Sequence, residues 1–301
     1  MADYASINGV AAANISSILG VAKGSCGTLL GLDTPSSGDA KSYLFDGSDE
    51  FIQADAVVAS TGNFDWQSDA QSISVWFKMA SATPAVLWSF GHSSQNSSWY
   101  YLMVQGETTV GESTLEPRFT ISGFSNTAGL FGKADSTTSP NGATGYAWVL
   151  ESDTNGINPA DGSWHHIVIT FSGAASTAQA VKMYADGNQV GFSKSRSSAL
   201  DVSDFSIGLL RKDGADDLEH FFHGHIAQLG MWTTELSSGN VSTIYNSGTP
   251  LAAASSLSPV HFYRFGDGDT NGPSTLTDYG SGGVDGTGVN LESGDIVEVH
   301  P

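Results

Sequence analysis

Short runs in which apolar and polar residues alternate fill most of the chain from Lys41 onward. The turn-forming residues Gly, Asn, Asp and Ser separate these runs. Within a run, apolar residues recur at every second position, which predicts half-buried β-strands. The clearest predicted strands are residues 72–77, 99–104, 118–121 and 164–171. We therefore expect an all-β protein.

Two further local patterns predict a turn and a helix. Residues 181–191 predict a β-hairpin, because Asp186-Gly187-Asn188 supplies residues that accept a positive φ at the turn. Only residues 237–246 predict a short helix.

The front of the chain repeats itself with a fixed period. Residues 4–36 divide into three units of eleven, with Ser6-Ile7-Asn8-Gly9-Val10, Ser17-Ile18-Leu19-Gly20-Val21 and Thr28-Leu29-Leu30-Gly31-Leu32 at equivalent places. Each unit should fold into the same small structural element and leave an apolar edge exposed. The predicted docking residues are Ile7, Val10, Ile18, Val21, Leu29 and Leu32. The alternative is a flexible leader with chance similarity.

A turn-rich stretch, residues 34–39, follows the repeat and predicts a boundary. We expect a docking or oligomerisation segment over residues 1–38 and one domain over residues 39–301. The repeat resembles the N-terminal segments of some bacteriophage structural proteins, including fibre and appendage proteins. That resemblance implies a virion protein that reaches the outside by lysis.

Composition narrows the classes of partner. The chain has 11 Lys and Arg against 31 Asp and Glu, a net charge of −20, which excludes a nucleic acid partner because phosphates would be repelled. A single cysteine, Cys26, rules out an intrachain disulfide. The first residues lack the pattern of a classical signal peptide, and no apolar run is long enough for membrane insertion.

Several strands together carry a family resemblance. Residues 43–52, 74–77, 164–168, 184–191 and 222–232 look like successive strands of a laminin-G or pentraxin-like domain. The resemblance implies a concanavalin A-like jelly-roll β-sandwich, preceded here by the short glycine-punctuated repeat. Residues 260–268 and 276–280 resemble the opening strands of such domains, although they come last in this chain. We infer that the carboxyl end supplies the first hairpin.

The same resemblance implies a calcium site on one edge of the sandwich. Aligning the strands puts Asn96 opposite Asp213, Asp216 and Asp217, and Ca²⁺ takes oxygen ligands of these types. Residues 209–211, Leu-Leu-Arg, fall near positions where a pentraxin-like site carries acidic or amide ligands. Solvated carboxylates on a surface loop are therefore the alternative to a Ca²⁺ cofactor.

Other side chains suggest metal or sugar chemistry. His223 and His225 point to one face of a predicted strand, but no third spaced ligand completes a zinc site, which favours structural histidines. Trp76, Trp164 and Trp232 lie in strand patterns typical of a core. The predicted carbohydrate-binding residues are Trp66, Trp99 and Trp148, which neighbour polar loops, with packing as the alternative.

Three functional hypotheses follow. The first is a non-enzymatic virion structural protein at the virion surface, with other virion proteins or copies of itself as partners and host glycans as further ligands. The second is a Ca²⁺-dependent carbohydrate-binding adhesin. The third is a glycoside hydrolase, which needs a carboxylic acid with a raised pKa. The loop that contains Glu107, Glu112 and Glu116 has nothing that would raise the pKa of an acid, which argues against this hypothesis.

Overall fold

The structure is a computed structural model of the full chain. It describes residues 40–58, 70–91, 98–110, 113–115, 117–125, 146–150, 156–172, 179–196, 202–211, 218–250, 257–269 and 272–301, together with six two-residue strands before residue 34. The chain divides into two compact units, Met1–Gly38 and Asp39–Pro301.

The first unit contains three small β-hairpins at equivalent places in the repeat. Their strands are β1 Ser6–Ile7, β2 Val10–Ala11, β3 Ser17–Ile18, β4 Val21–Ala22, β5 Thr28–Leu29 and β6 Leu32–Asp33. The innermost pairs of the three hairpins are Ile7 with Val10, Ile18 with Val21 and Leu29 with Leu32. The eleven-residue period of the sequence is thus a period of the backbone.

The second unit is built on two antiparallel sheets. Sheet I has the order β15-β14-β11-β10-β19-β8-β25-β24. Its strands are β8 Phe51–Gln53, β10 Ala85–Gly91, β11 Ser98–Gln105, β14 Arg118–Ser125, β15 Tyr146–Leu150, β19 Asp204–Ile207, β24 Thr275–Leu276 and β25 Gly286–Val289.

Sheet II has the order β18-β17-β16-β9-β22-β7-β26, and β23 also pairs with β22. Its strands are β7 Ser42–Asp46, β9 Gln71–Lys78, β16 Trp164–Phe171, β17 Gln179–Ala185, β18 Asn188–Arg196, β22 His223–Trp232, β23 His261–Tyr263 and β26 Ile296–Val297. Two short ladders accompany the sheets, β12 Thr108–Val110 with β13 Ser113–Leu115 and β20 Leu210–Arg211 with β21 Leu218–Glu219.

The inner faces of the two sheets enclose one hydrophobic core. Phe77 of sheet II meets Phe119 of sheet I edge to face with 6.1 Å between ring centroids, and Phe171 meets Tyr100 at 5.7 Å. Alternate residues of β9, β11, β16 and β17 are buried in this core, which is what period-two alternation predicts. The predicted all-β jelly-roll β-sandwich is confirmed.

The predicted hairpin and helix are both present. Ala185 pairs with Asn188, so Asp186 and Gly187 form a two-residue turn with φ of 46° and 78°. Helix α1 is Ser238–Tyr245, and the side chain of Ser237 caps its amino end in a reciprocal capping box with Asn240. Short 3₁₀ turns lie at Asp55–Val57, Asn246–Gly248, Gly272–Ser274 and Ser293–Asp295.

The carboxyl-terminal residues add strands to both sheets. β25 pairs with β8, β26 pairs with β7, and β23 pairs with β22. The carboxylate of Asp267 accepts hydrogen bonds from the backbone N–H groups of Ala40 and Lys41, each over 2.8 Å, where the chain enters β7. The two ends of this unit are therefore bonded to each other directly.

Candidate functional site

A row of four residues crosses the outer face of sheet II. The strand register pairs Trp164 with Lys78, Lys78 with His225, and His225 with Leu44. Their neighbours in the same strands, such as Phe77, point into the core, and side chains alternate between faces along a strand. The four residues thus lie side by side on the outer face, and each is half-buried.

A groove of about 390 Å³ opens beside this row, where the end of β9 meets the start of β22. We call it the β9–β22 groove. Its lining consists of Leu44, Lys78, Met79, Ala80, Ser81, Gly162, His223, Gly224 and His225.

The backbone gives the groove its shape at two points. The N–H of Gly162 donates to the carbonyl of Met79 over 2.8 Å, which fixes the loop before β16 against the end of β9. Gly224 has a φ of 150°, and a Cβ at this position would collide with the carbonyl oxygen of Lys78. Only glycine allows β22 to approach β9 this closely.

Three nitrogen-bearing side chains line the groove: those of Lys78, His223 and His225. Partial burial and the nearby ammonium of Lys78 lower the pKa of His225, so its ring is neutral at pH 7. No Asp or Glu is among the described lining residues, although the whole chain carries a net charge of −20. The described lining thus carries the ammonium group of Lys78 and no carboxylate, on a chain that is acidic as a whole.

A histidine at the rim of the sandwich is held by two carboxylates. His165 Nδ1 lies 2.9 Å from Asp186 Oδ2, and its Nε2 lies 3.2 Å from Asp161 Oδ1. Burial alone would lower the pKa of His165, but these two partners outweigh burial and raise it. Because both ring nitrogens are already bonded, His165 stabilises the rim and is not available to a ligand.

Helix α1 covers a different part of the same face. The ring of Trp76 stacks on His166 with 4.7 Å between centroids and on Tyr245 with 5.7 Å. Trp232 packs nearby in a cluster with Val241 and Ile244 of the helix. The prediction that Trp76 and Trp232 are buried is correct, but both lie outside the space between the sheets. For Trp164 it is wrong, because that residue is half-buried beside the groove.

Of the three predicted sugar-binding tryptophans, Trp99 has a described side chain, and it does not line the groove. Trp99 is half-buried on sheet I, stacks on Tyr101 with 5.5 Å between centroids, and packs against a cluster that includes Met103. The backbone of Trp148 pairs with Thr120 in the same sheet. Trp66 lies outside the described residues.

The predicted calcium ligands, Asn96, Asp213, Asp216 and Asp217, all lie outside the described residues. So do Glu112 and Glu116, whereas Glu107 is exposed. Within the described part of the chain, no group of three or more His, Cys, Asp or Glu side chains is placed to hold a metal ion. The backbones of all six predicted docking residues lie in the hairpins of the first unit.

The sequence placed two lining residues of the groove on one strand face but did not predict the groove itself, since these residues were interpreted as structural histidines. It placed His223 and His225 on one face, and both line the groove. It missed Lys78 as a partner, because that contact joins strands about 150 positions apart and depends on their register. The available signal was a lysine at the last, outward-facing position of an otherwise buried strand.

Comparison with known proteins identifies the family. The laminin-G model described as the concanavalin A-like lectin/glucanases superfamily matches residues 51–242. The chain belongs to this superfamily, and the predicted concanavalin A-like, laminin-G identity of the sandwich is confirmed. No curated protein sequence matches the chain.

Several solved structures are similar to the chain at low sequence identity. A heptameric SAP-like pentraxin from Limulus polyphemus has a TM-score of 0.42 and 15% identity over 69% of this chain and 82% of the pentraxin. Domains LG4-5 of the mouse laminin α1 chain have a TM-score of 0.41 and 13% identity, over 66% of this chain and 43% of the laminin chain. The CBM40 of a Ruminococcus gnavus IT-sialidase, bound to α2,3-sialyllactose, gives 0.43 and 11%, over 69% of this chain and 100% of the module.

No helix among the described residues combines the length and apolar character needed to span a membrane.

Proposed function

We propose that this chain is a non-enzymatic surface protein of a virion, whose sandwich binds carbohydrate and whose hairpin repeat attaches it to the particle. The observation that carries the binding role is the β9–β22 groove, an open concave site on a sandwich of the lectin superfamily. It joins hydrogen-bonding groups, Lys78, His223 and His225, to apolar surface from Leu44 and Ala80, the mixture that a sugar ring requires.

The composition of the groove favours binding over cleavage. Glycoside hydrolysis needs two carboxyl groups on either side of the bond to be cleaved. The described residues that line the groove include no Asp or Glu. A saccharide held there would therefore meet donors and apolar surface but no acid and base pair.

Attachment by the repeat is supported by its regular geometry. Three hairpins share one register, and an isolated two-stranded hairpin is marginally stable in water. Such units gain stability when they pack on a further surface. We propose that this surface belongs to other virion proteins or to further copies of the chain.

A glycan array probed with the full chain tests the binding role. We expect binding that His225→Ala abolishes and Trp99→Ala leaves intact, because only the first residue lines the groove. Loss of binding in Trp99→Ala alone would move the site to sheet I. Absence of binding to any glycan would overturn the role.

The same array repeated with EDTA tests the adhesin alternative. Binding that persists without divalent ions supports a metal-independent groove. Binding that disappears would favour a Ca²⁺ site, with Asn96, Asp213, Asp216 and Asp217 as the ligands to mutate next.

Attachment is tested by charge placed in a hairpin. Ile18→Asp puts a carboxylate at the pair next to the turn, and Ser17→Asp puts the same charge at the outer pair as a control. We expect Ile18→Asp alone to reduce the fraction of the protein that sediments with virus particles. Equal sedimentation of both variants with wild type, or absence of the wild-type protein from particles, would contradict the proposal.

A further inference from the structure

We infer that the β9–β22 groove selects an anionic saccharide, one that carries carboxylate or sulfate groups, and that Lys78 is the residue that recognises the charge. This inference rests on the proposed carbohydrate-binding function and adds the ligand class. Its basis is the position of Lys78, whose ammonium group lines the groove without a described carboxylate partner, together with the absence of carboxylates from the described lining that surrounds it.

Two cationic side chains of the sandwich have carboxylate partners. Lys182 Nζ lies 2.8 Å from Glu235 Oε1, and the guanidinium of Arg211 contacts both Asp55 and Asp204. The ammonium group of Lys78 forms no salt bridge with a described carboxylate. The same holds for Lys41 and Arg118, but of these three residues only Lys78 lines the groove.

Two acidic side chains near the groove already accept hydrogen bonds. Asp46, the cross-strand partner of His223, accepts a hydrogen bond from the N–H of Ser48 over 2.7 Å. Asp161, which precedes Gly162 of the groove wall, accepts from the N–H of Ser163 over 2.7 Å and contacts His165. Neither carboxylate forms a described salt bridge with Lys78, which leaves its ammonium group open to an anion of a ligand.

The surroundings of Lys78 fit a sugar that carries the anion. His225 is its cross-strand neighbour and is neutral at pH 7. Its Nδ1 lies 3.4 Å from Ser42 Oγ, and that hydroxyl donates to the Val299 carbonyl, so Nδ1 is the donor in this pair and Nε2 is left to accept a hydrogen bond from a sugar hydroxyl group. Leu44 and the half-buried Trp164 flank the two residues on either side with apolar surface for the C–H face of a ring. Lysine binds as a point charge, so carboxylate and sulfate are both suitable groups.

The net charge of −20 disfavours a ligand with many negative charges. A densely charged polyanion such as a nucleic acid would be repelled by the rest of the surface. A saccharide with spaced acidic groups places one anion in the groove and keeps most of its length neutral. Charge complementarity at one lysine therefore favours an acidic glycan over other anions.

The test compares matched ligands and matched variants of the full chain. The ligands are a galacturonic acid oligomer, its methyl ester, a sulfated galactan oligomer and the neutral galactan oligomer. The variants are Lys78→Gln, Lys78→Arg and the control Lys182→Gln, which removes a lysine outside the groove. Circular dichroism melts confirm that each variant is folded.

We expect the wild-type chain to bind an anionic oligomer at least about tenfold more tightly than its neutral counterpart, since a hydrogen bond to a charged group contributes about 1.5–3 kcal/mol. Lys78→Gln should lose this preference, whereas Lys78→Arg and Lys182→Gln should keep it. If the chain prefers only one of the two anionic oligomers over its neutral counterpart, that result identifies whether the groove recognises carboxylate or sulfate.

Two results would overturn the inference, and they differ in what else they overturn. Glycan binding that His225→Ala abolishes but that shows no charge preference, or a preference that survives Lys78→Gln, refutes the ligand class and leaves the binding function standing. No binding of any glycan, on the array or in this series, refutes both.

Discussion

His166 lies beneath helix α1 with its Nε2 2.7 Å from the hydroxyl oxygen of Ser74. Burial lowers the pKa of His166 from 6.5 to about 3, although the charge of Asp186 acts in the opposite direction. The unfolded chain takes up a proton near pH 6.5 and the folded chain does not. Stability is therefore lost as the pH falls from 6.5 towards 3, by up to about 1.4 kcal/mol per pH unit for this one group.

His166→Gln removes the titrating group and should flatten this part of the pH dependence. Urea unfolding of wild type and variant, from about pH 7 to about pH 4, measures the difference in slope. His165 titrates in both proteins, so its contribution cancels in the comparison. Identical slopes would show that His166 is protonated in the folded state.

Glu50 behaves in the opposite way. Burial and the negative charges of Asp295, Asp46 and Asp49 raise the pKa of Glu50 from 4.5 to about 7, against a lowering effect of the hydrogen bond from the Asp46 N–H. The folded chain thus binds an additional proton between pH 4.5 and 7, and stability is lost as the pH rises through this range.

Glu50→Gln keeps an oxygen that accepts from the Asp46 N–H but cannot ionise. At about pH 8 it should be more stable than wild type by an amount on the order of 1–3 kcal/mol, and at about pH 4 the difference should vanish. Thermal melts at the two pH values measure it. A variant less stable than wild type at the higher pH would mean that the ionised carboxylate is well solvated.

At the scale of elements, the β17–β18 turn and helix α1 meet at one glycine. Gly187 has a φ of 78°, and a Cβ there would lie 2.6 Å from the ring of Tyr245, the last residue of the helix. Gly156 has a φ of 81° with nothing within 4 Å of the same position. Both glycines have a positive φ, but a Cβ would contact a neighbouring side chain only at Gly187.

Gly187→Ala should therefore reduce the free energy of unfolding by about 1–3 kcal/mol more than Gly156→Ala, because both variants strain the backbone and only the first displaces the helix. Chemical denaturation of the two variants gives the difference. Equal losses would show that Tyr245 moves aside without effect on helix packing.

For the whole molecule, the carboxyl-terminal strands should unfold together with the rest of the sandwich. Gly288 of β25 pairs with Ile52 of β8, and a Cβ on Gly288 would collide with the backbone carbonyl of Pro273. Gly294 has open space at the same position. A substitution at Gly288 thus disturbs the packing of β25 against the turn at Pro273, inside the carboxyl-terminal segment, and the matched change at Gly294 does not.

Gly288→Ala should lower the stability of the whole unit by about 1–3 kcal/mol or more, in a single transition seen by both tryptophan fluorescence and circular dichroism. Gly294→Ala should leave the transition near that of wild type. A second, earlier transition in Gly288→Ala would show that residues after 257 form a separate folding unit.

Much of the fold was predictable, because its signals are local. Period-two alternation located the strand Trp164–Phe171, and Asp186 with Gly187 fixed a hairpin turn through their tolerance of positive φ. The short helix predicted over residues 237–246 begins at Ser238 in the structure, where Ser237 and Asn240 form a local capping box. Each of these features depends on residues within a few positions of each other, so the chain alone contains the information.

The tertiary structure alone decided which surface of each strand is covered and which distant residues become neighbours. Alternation put Trp76 and Lys78 on the same face of β9, but only the docking of helix α1 buries Trp76, while Lys78 lines the groove. The pairing of Lys78 with His225 depends on the register of two strands far apart in the chain. Register between distant strands is set by the packing of the complete core, and for that reason the groove could not be found from the sequence.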